Sequence, residues 1–483
     1  MPVDYQDKDY QAALPRWRAC RAAVEGEDAI KLATTDHLPM PNADDQSPKN
    51  KARYAAYIKR ANFIPYTGHS LASSVGSIFK KQPTFDLPKE LEYVLQDTDG
   101  GGLALTQLAK AVVSDVMTVG RFGMLAEYPE TTGLRTKDQD EVIKARVATY
   151  PAESIFGRKE IKRDGQKIQT QVRLIEYAEV AVDDFESKQE IQYRVLSLRD
   201  GVYSQQLYNE KNEPIGEEII PTDYKGNTFD RIPFVYCGSE ENNPDIDSSP
   251  IYGLARVNIG HYRNSADYEE GIYMLGQPTL VFTSDIGQEA WEARNPNGLT
   301  VGSREALYLG TAGDAKLLQM ESNGAASEAM TKKEEQMRSI SNQLSSSSGA
   351  NQTAEAARIN ASAETSVLST VADNASSAIT DILKLLARIM GADESKISFQ
   401  LNKEFFDKTF TAQDSMALNT LYESTHIAQS DLRGCLRQSG VIAEGRTDEM
   451  IDKEIAENPP LLFDMGITGQ AGDDNGDNAD AAK

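Results

Sequence analysis

Thr353–Met390 reads TAEAARINASAETSVLSTVADNASSAITDILKLLARIM, and the way it folds decides the architecture of this 483-residue chain. No proline or glycine interrupts its 38 residues, so at the α-helical rise they span about 57 Å as one helix. Ile359, Ala363, Val367, Val371, Ala375, Ala378, Ile382, Leu385 and Ile389 recur every three or four positions. That spacing predicts one continuous buried seam. Gly391 closes the helix.

On its N-terminal side a second helix is expected over 325–344, ended by Ser345, Ser346, Ser347, Ser348 and Gly349. Another is expected from Pro250 to about Leu275, opened by Ser248-Ser249-Pro250. There the serine oxygen caps free amides and proline tolerates the first turn. Ile251, Ala255, Ile259, Tyr262 and Ala266 line one face of it, and Leu254, Val257, His261, Tyr268 and Ile272 a second. Two apolar stripes predict contacts on two sides, the second supplied by a helix of another subunit. The intervening 277–324 is short, mixed and turn-rich, with strand-like PTLVF and Trp291 before Asn295-Pro296-Asn297-Gly298.

Towards the N-terminus, short helices are expected up to Met40. Helices also follow in RYAAYIKRANF, with Tyr54, Tyr57, Ile58 and Ala61 on one face, and in GHSLASSVGSIFKKQP. The turn Asp97–Gly102 opens a helix whose stripe is Leu105, Leu108, Ala109, Val112, Val113 and Val116. From Ala145 to Val235 the period approaches two, which predicts antiparallel strands. After the long helix come a strand at Lys396–Leu401, two or three helices over 412–456, and a polar tail expected to be disordered. The fold class read from this order is α+β, mostly helical.

Composition narrows function. Lys and Arg total 50 against 74 Asp and Glu, a net charge of −24. A protein gripping nucleic acid through a basic face is therefore excluded, because neutralising phosphates takes an excess of cations; a protein that DNA merely passes is not. Of the −24, −4 sits from Asp464 onward, five aspartates against Lys483. With 40% hydrophobic residues the chain can bury a sizeable core. Cys20, Cys237 and Cys435 are odd in number and far apart, which supports neither a disulfide framework nor a zinc site. The N-terminus MPVDYQDKDY shows no signal pattern, and no apolar run reaches the ~18 residues of a membrane span. A soluble protein made in a reducing compartment is expected, with no membrane partner.

Catalytic patterns are sparse. Gly68-His69-Ser70 resembles a nucleophile elbow, which makes a serine hydrolase using Ser70 the alternative reading. The elbow needs strand–turn–helix context, whereas this segment leads from Pro65 into a helical pattern, with Thr67 or Ser70 as the expected cap. No Walker or GxGxxG motif occurs. Asp97-Thr98-Asp99-Gly100 is half a calcium loop, but Leu108 stands where the closing glutamate belongs. No cofactor, metal site or enzymatic activity is expected. Long helices with a Ser/Gly hinge suit subunits packed in a ring, and a plain helical bundle is the competing architecture.

The segments RYAAYIKRANFIPYTGHSLASSVGSIFKKQP, DGGGLALTQLAKAVVSDVMTVGRFGMLAEYP and TYPAESIF, together with the order of elements, resemble a tailed-bacteriophage portal protein. The resemblance covers nearly the whole chain. It implies a portal fold with an N-terminal arm (1–50), a wing (51–248), a first stem helix (249–276), a clip (277–324) and a second stem helix (325–344). A tunnel loop (345–351), a spine helix (352–391), a strand returning to the wing (392–410), a crown (411–463) and an acidic tail (464–483) follow. It further implies a homo-oligomeric ring of about twelve subunits at one capsid vertex of a virion, made in the host cytoplasm, that nucleates head assembly. Its partners would be the terminase large subunit, a head–tail adaptor, the major capsid and scaffolding proteins, and double-stranded DNA passing without sequence-specific binding. Ser345–Gly349 become the channel loop, Lys332, Lys333 and Arg338 candidate lumenal cations, and Trp291 and Arg294 candidate clip contacts.

Overall fold

The computed structural model describes residues 2–128, 144–163, 165–183, 185–277, 279–294, 296, 311–318, 324–345, 354–403, 405, 412–438, 440–443 and 445–457. The fold is α+β, in two compact units, Met1–Phe405 and Phe406–Lys483.

The first unit opens with α1 (Lys8–Glu25), α2 (Glu27–Leu32), α3 (Pro48–Arg60) and α4 (Tyr66–Ile78). Tyr10, Ala13, Trp17, Cys20 and Ala23 step along α1 at helical spacing and are all buried. Arg21 on the same helix grips the Asp115 carboxylate with both Nη atoms, at 2.8 and 3.0 Å, and also pairs with Glu153. α3 is capped by a side chain, Ser47 Oγ accepting the Asn50 amide at 3.2 Å. α4 starts after Pro65 with no side-chain cap of its own, so neither Thr67 nor Ser70 plays the expected part.

Asp97 and Asp99 accept the backbone N–H groups of Gly100, Gly101, Gly102 and Leu103 at 2.7–3.2 Å. Their carboxylates are thus committed to shaping a turn. This delivers the chain into α5 (Leu105–Val119), whose predicted stripe is fully inside. Gly120, at φ 84°, ends α5 in the left-handed conformation that costs glycine nothing. The chain then drops into β2 (Arg121–Glu127), after the short β1 (Thr84–Asp86). β2 is the centre of a three-stranded antiparallel sheet with β3 (Arg146–Pro151) and β9 (Phe234–Gly238). Between these two run five antiparallel strands in a meander: β4 (Ile155–Arg163), β5 (Gln166–Ala181), β6 (Ser187–Arg199), β7 (Val202–Asn209) and β8 (Pro214–Ile219).

α6 (Tyr252–Leu275) leads to a small antiparallel ribbon of β10 (Thr279–Thr283) and β11 (Asp314–Leu318), with α7 (Gln288–Arg294) between them in sequence. α8 (Ala325–Ser345) and α9 (Ala354–Met390) follow. Ser249 does not cap α6 as expected; its hydroxyl donates to the Thr118 carbonyl at 2.7 Å, tying the entry of α6 to the end of α5. α9 lies against α5, β2 and β9. Its burial is wider than one seam: Leu368, Ala372, Ile379, Leu383 and Leu386 are inside beside Val371, Ala375, Ala378, Ile382, Leu385 and Ile389. Val367 is 37% exposed, outside the seam, and Ile359 and Ala363 lie outside the described side chains. A helix buried on most of its circumference forms the axis of a core, and each fully buried Leu or Val contributes about 1.5–3 kcal/mol. β12 (Ser398–Gln400), shorter than the strand expected, pairs with β1, Phe399 opposite Phe85.

In the second unit, α10 (Ala412–Glu423), α11 (Gln429–Gln438) and α12 (Asp448–Glu457) are small. Arg433 pairs with Asp452 at 2.5 Å, Arg437 with Asp448, and Arg446 with Glu454. Among the described residues of this unit Arg433 is buried and no apolar side chain is. The tail 464–483 lies outside the described residues.

Candidate functional site

Two helices that are neighbours in space but separated by a small ribbon in sequence dominate the middle of the chain. α6 and α8 lie side by side, with α8 also resting on α4. Gly260 makes room for the Lys333 side chain, since a Cβ there would stand 3.2 Å from its Cε. His261 is buried at the same level, its Nε2 3.5 Å from Oε1 of Glu334 on α8. One turn further along α8, Met337 is fully buried. Against α4, Ser70 and Ser341 share a short hydroxyl–hydroxyl hydrogen bond, and Ser74 donates to the Leu344 carbonyl at 3.1 Å.

The other flank of α6 is fastened to α3 by polar groups. Tyr57 donates to Asp267 at 2.5 Å, Arg60 pairs with Glu270, and the Asn62 amide donates to Ser265 Oγ at 3.0 Å. Arg60 also sits 4.2 Å from the Tyr273 ring centroid, a cation–π contact. The first expected apolar stripe, Ile251, Ala255, Ile259, Tyr262 and Ala266, is buried within this chain. The second is divided: Leu254 and His261 are buried too, His261 against α8 of the same chain rather than a helix of another subunit, whereas Tyr268 and Ile272, with Tyr273 and Met274 beside them, are 37–46% exposed. The apolar surface left open lies beside the β10–β11 ribbon in sequence, where Leu280, Val281 and Leu317 are also exposed.

The residues singled out in the sequence sit as follows. Lys332 is exposed and pairs with Glu328 at 2.7 Å, and Arg338 is 3.7 Å from Glu334. Lys333 is half-buried, its stem over Gly260. With Glu328, Glu334 and Glu335 on the same helix, α8 carries three acids against these three cations and no net charge. Trp291 is half-buried on α7, and the Arg294 side chain lies outside the described residues. Ser345 is the last residue of α8, while Ser346, Ser347, Ser348 and Gly349 lie outside the described residues.

Ser70 lies inside α4, buried, with its hydroxyl engaged by Ser341, while His69 is exposed. No strand leads into it, so the strand–turn–helix context of a nucleophile elbow is missing. Ser70 is a helix-packing serine. The tie between α6 and α3 leaves no mark in local sequence, because Tyr57 and Asp267 meet across 210 residues. Among the described residues, no three His, Cys, Asp or Glu side chains converge as metal ligands. No helix there is long and apolar enough to cross a membrane.

The family described as a domain of unknown function, DUF4055, matches residues 250–390, the run from α6 through α9. No curated protein matches. Similar solved structures include a chain of the virion of a native gene transfer agent particle, at 13% identity and a TM-score of 0.40, covering 77% of this chain and 89% of that one. Chains from the neck of the native particle, computed with C12 symmetry, and of the empty particle, computed with C6 symmetry, are also 13% identical. Their TM-scores are 0.38 and 0.37, and 77% of this chain covers 89% and 90% of theirs.

Proposed function

We propose that this chain is the subunit of a phage-type portal, a ring of about twelve copies at one capsid vertex through which double-stranded DNA enters and leaves the head. The observation that carries the reading is the succession α6, β10–β11 ribbon, α8, α9. Two adjacent helices end in a small ribbon, and a 37-residue helix then runs through the core. In this reading α6 and α8 are the stem, the ribbon with α7 is the clip that meets the terminase and later a head–tail adaptor, and α9 is the spine. The strands and helices of 51–248, with β12 returned to them, are the wing, and the second unit is the crown.

Charge supports the same reading. Each copy brings −24 to the ring, and α8 adds no net cation. An acidic wall repels phosphates and keeps the duplex centred, whereas clustered fixed cations would hold it. The chain's part in this process is mechanical, with ATP hydrolysis left to the terminase.

Electron microscopy and native mass measurement of the purified full-length protein test it. Closed rings of about twelve subunits with a central hole are expected. A monomer that persists at high concentration and in the presence of capsid and scaffolding proteins would overturn the reading.

A further inference from the structure

β5 and β6 outrun their sheet. β4 leaves β5 at Leu174, and β7 leaves β6 at Gln192. The five pairs from Tyr177↔Ile191 to Ala181↔Ser187 have no third strand among the described residues, a ribbon about 17 Å long at ~3.4 Å per residue. An isolated two-stranded ribbon is marginal in water, and this one carries apolar cargo. Tyr177 is 62% exposed, Val182 58% and Phe185, in the turn, 100%. The turn is nevertheless built: Asp183 Oδ1 accepts the amides of Phe185 and Glu186 at 2.7 and 2.8 Å, and the Phe185 ring stands wholly exposed on it.

A receptor with the opposite character lies on the same unit. Between α4 and α5 runs an open, mostly apolar groove of about 670 Å³, with Leu71 and Val75 as its floor and Ala72, Gly76 and Ala111 on its walls. Lys110 stands exposed at its lip. Gly76 sits inside α4, and nothing lies within 4 Å of where its Cβ would stand. Glycine inside a helix costs backbone entropy, and no contact among the described residues requires one there; what its smallness provides is depth in the groove.

We propose that Phe185 of one copy seats in the α4–α5 groove of the neighbouring copy, with Asp183 and Glu186 beside Lys110. The ring reading supplies the neighbour, and the inference rests on it. Phe185 is wholly exposed, so it does not occupy its own chain's groove. Acid flanking an aromatic meets a cation at the mouth of an apolar cleft, a pairing that fixes orientation as well as contact. Because tip and groove are different surfaces, the contact is head-to-tail, the kind that closes into rings.

The test is a disulfide between copies. In a full-length Cys435→Ser background, chosen because Cys435 is exposed while Cys20 and Cys237 are buried, Phe185→Cys is combined with Gly76→Cys and oxidised. A ladder of covalent multimers from the double variant, and monomer from either single variant, is expected on a denaturing gel. Separately, Phe185→Asp, at a surface position that leaves folding intact, should raise the concentration for half-assembly about tenfold or more. Rings that form without the ladder and are indifferent to Phe185→Asp overturn this inference and leave the portal reading standing. Failure of the unmodified protein to assemble overturns both.

Discussion

Asn258 of α6 caps the first turn of α4 through Thr67: its Oδ1 accepts the Thr67 amide at 3.1 Å and the Thr67 hydroxyl at 2.9 Å. Its Nδ2 donates to the Ile64 carbonyl at 3.0 Å. Asn258 is fully buried, so it replaces water for three backbone or hydroxyl groups at once. This explains why α4 has no local cap: the cap is supplied by another helix.

Replacing Asn258 by leucine is therefore expected to destabilise the chain by about 2–4 kcal/mol, since buried partners would be left unsatisfied. Thr67→Val removes one hydroxyl and should cost less, about 1 kcal/mol. Denaturant midpoints of the two variants check the order. A Leu variant no weaker than the Val variant would contradict the capping role.

Gly120 should tolerate no side chain. Its φ of 84° is unfavourable for L-residues, and a Cβ would stand 2.8 Å from the Asp247 carbonyl oxygen and 2.9 Å from that of Ser248. Gly120→Ala is expected to cost at least about 2 kcal/mol. Gly76→Ala, in open space within a helix, is expected to stabilise by about 0.5–1 kcal/mol. Thermal unfolding of both variants, run side by side, checks the contrast.

Stability should fall on mild acidification. Burial holds the His261 pKa below its ordinary 6.5, with Glu334 opposing and Lys333 adding. Burial does the same for His37, with Asp36 opposing and Arg263 adding. Below pH 6.5 the unfolded chain takes up these protons before the folded one, so the stability they contribute is full above 6.5 and is lost as pH falls towards the folded pKa values. Denaturation at pH 7.5 and pH 5.5 should show a smaller pH difference in His261→Leu than in the unmodified protein. An unchanged difference in both His261→Leu and His37→Leu counts against this account.

Under the portal reading, removal of Ser345–Gly349 should leave ring assembly intact and impair DNA packaging. Particle counts by microscopy and the DNA content of assembled heads measure the two separately. Normal packaging by the deleted form would remove the channel-loop role from this segment.

Much of the helical plan was legible. The unbroken run to Met390 is a helix over Ala354–Met390, and the α5 stripe is buried as spaced. The details that failed were those that depend on neighbours. Val367 has the right spacing but lies 37% exposed, while Leu383, off the expected seam, is fully buried, because α9 is packed from several sides. Ser249 looked like a helix cap and instead bonds the end of α5. Period-two patterning revealed the strands of the meander, but not that β5 and β6 extend past both neighbours, since strand length carries no record of where a partner stops.

Local spacing, charge and composition by themselves determined an acidic α+β chain with one very long helix, two shorter ones around a turn-rich insertion, and no clustered metal or phosphate motif. Those properties follow from residues a few positions apart, where the 3.6- and 2-residue periods act. Packing alone brings Asn258 to cap α4 across 191 residues and Ser70 to meet Ser341 across 271, and leaves Phe185 bare at the tip of a ribbon. The reason is physical. A side chain's periodicity reports which face of its own element is apolar, but its partner is set by how whole elements pack, and that packing is a property of the assembled core.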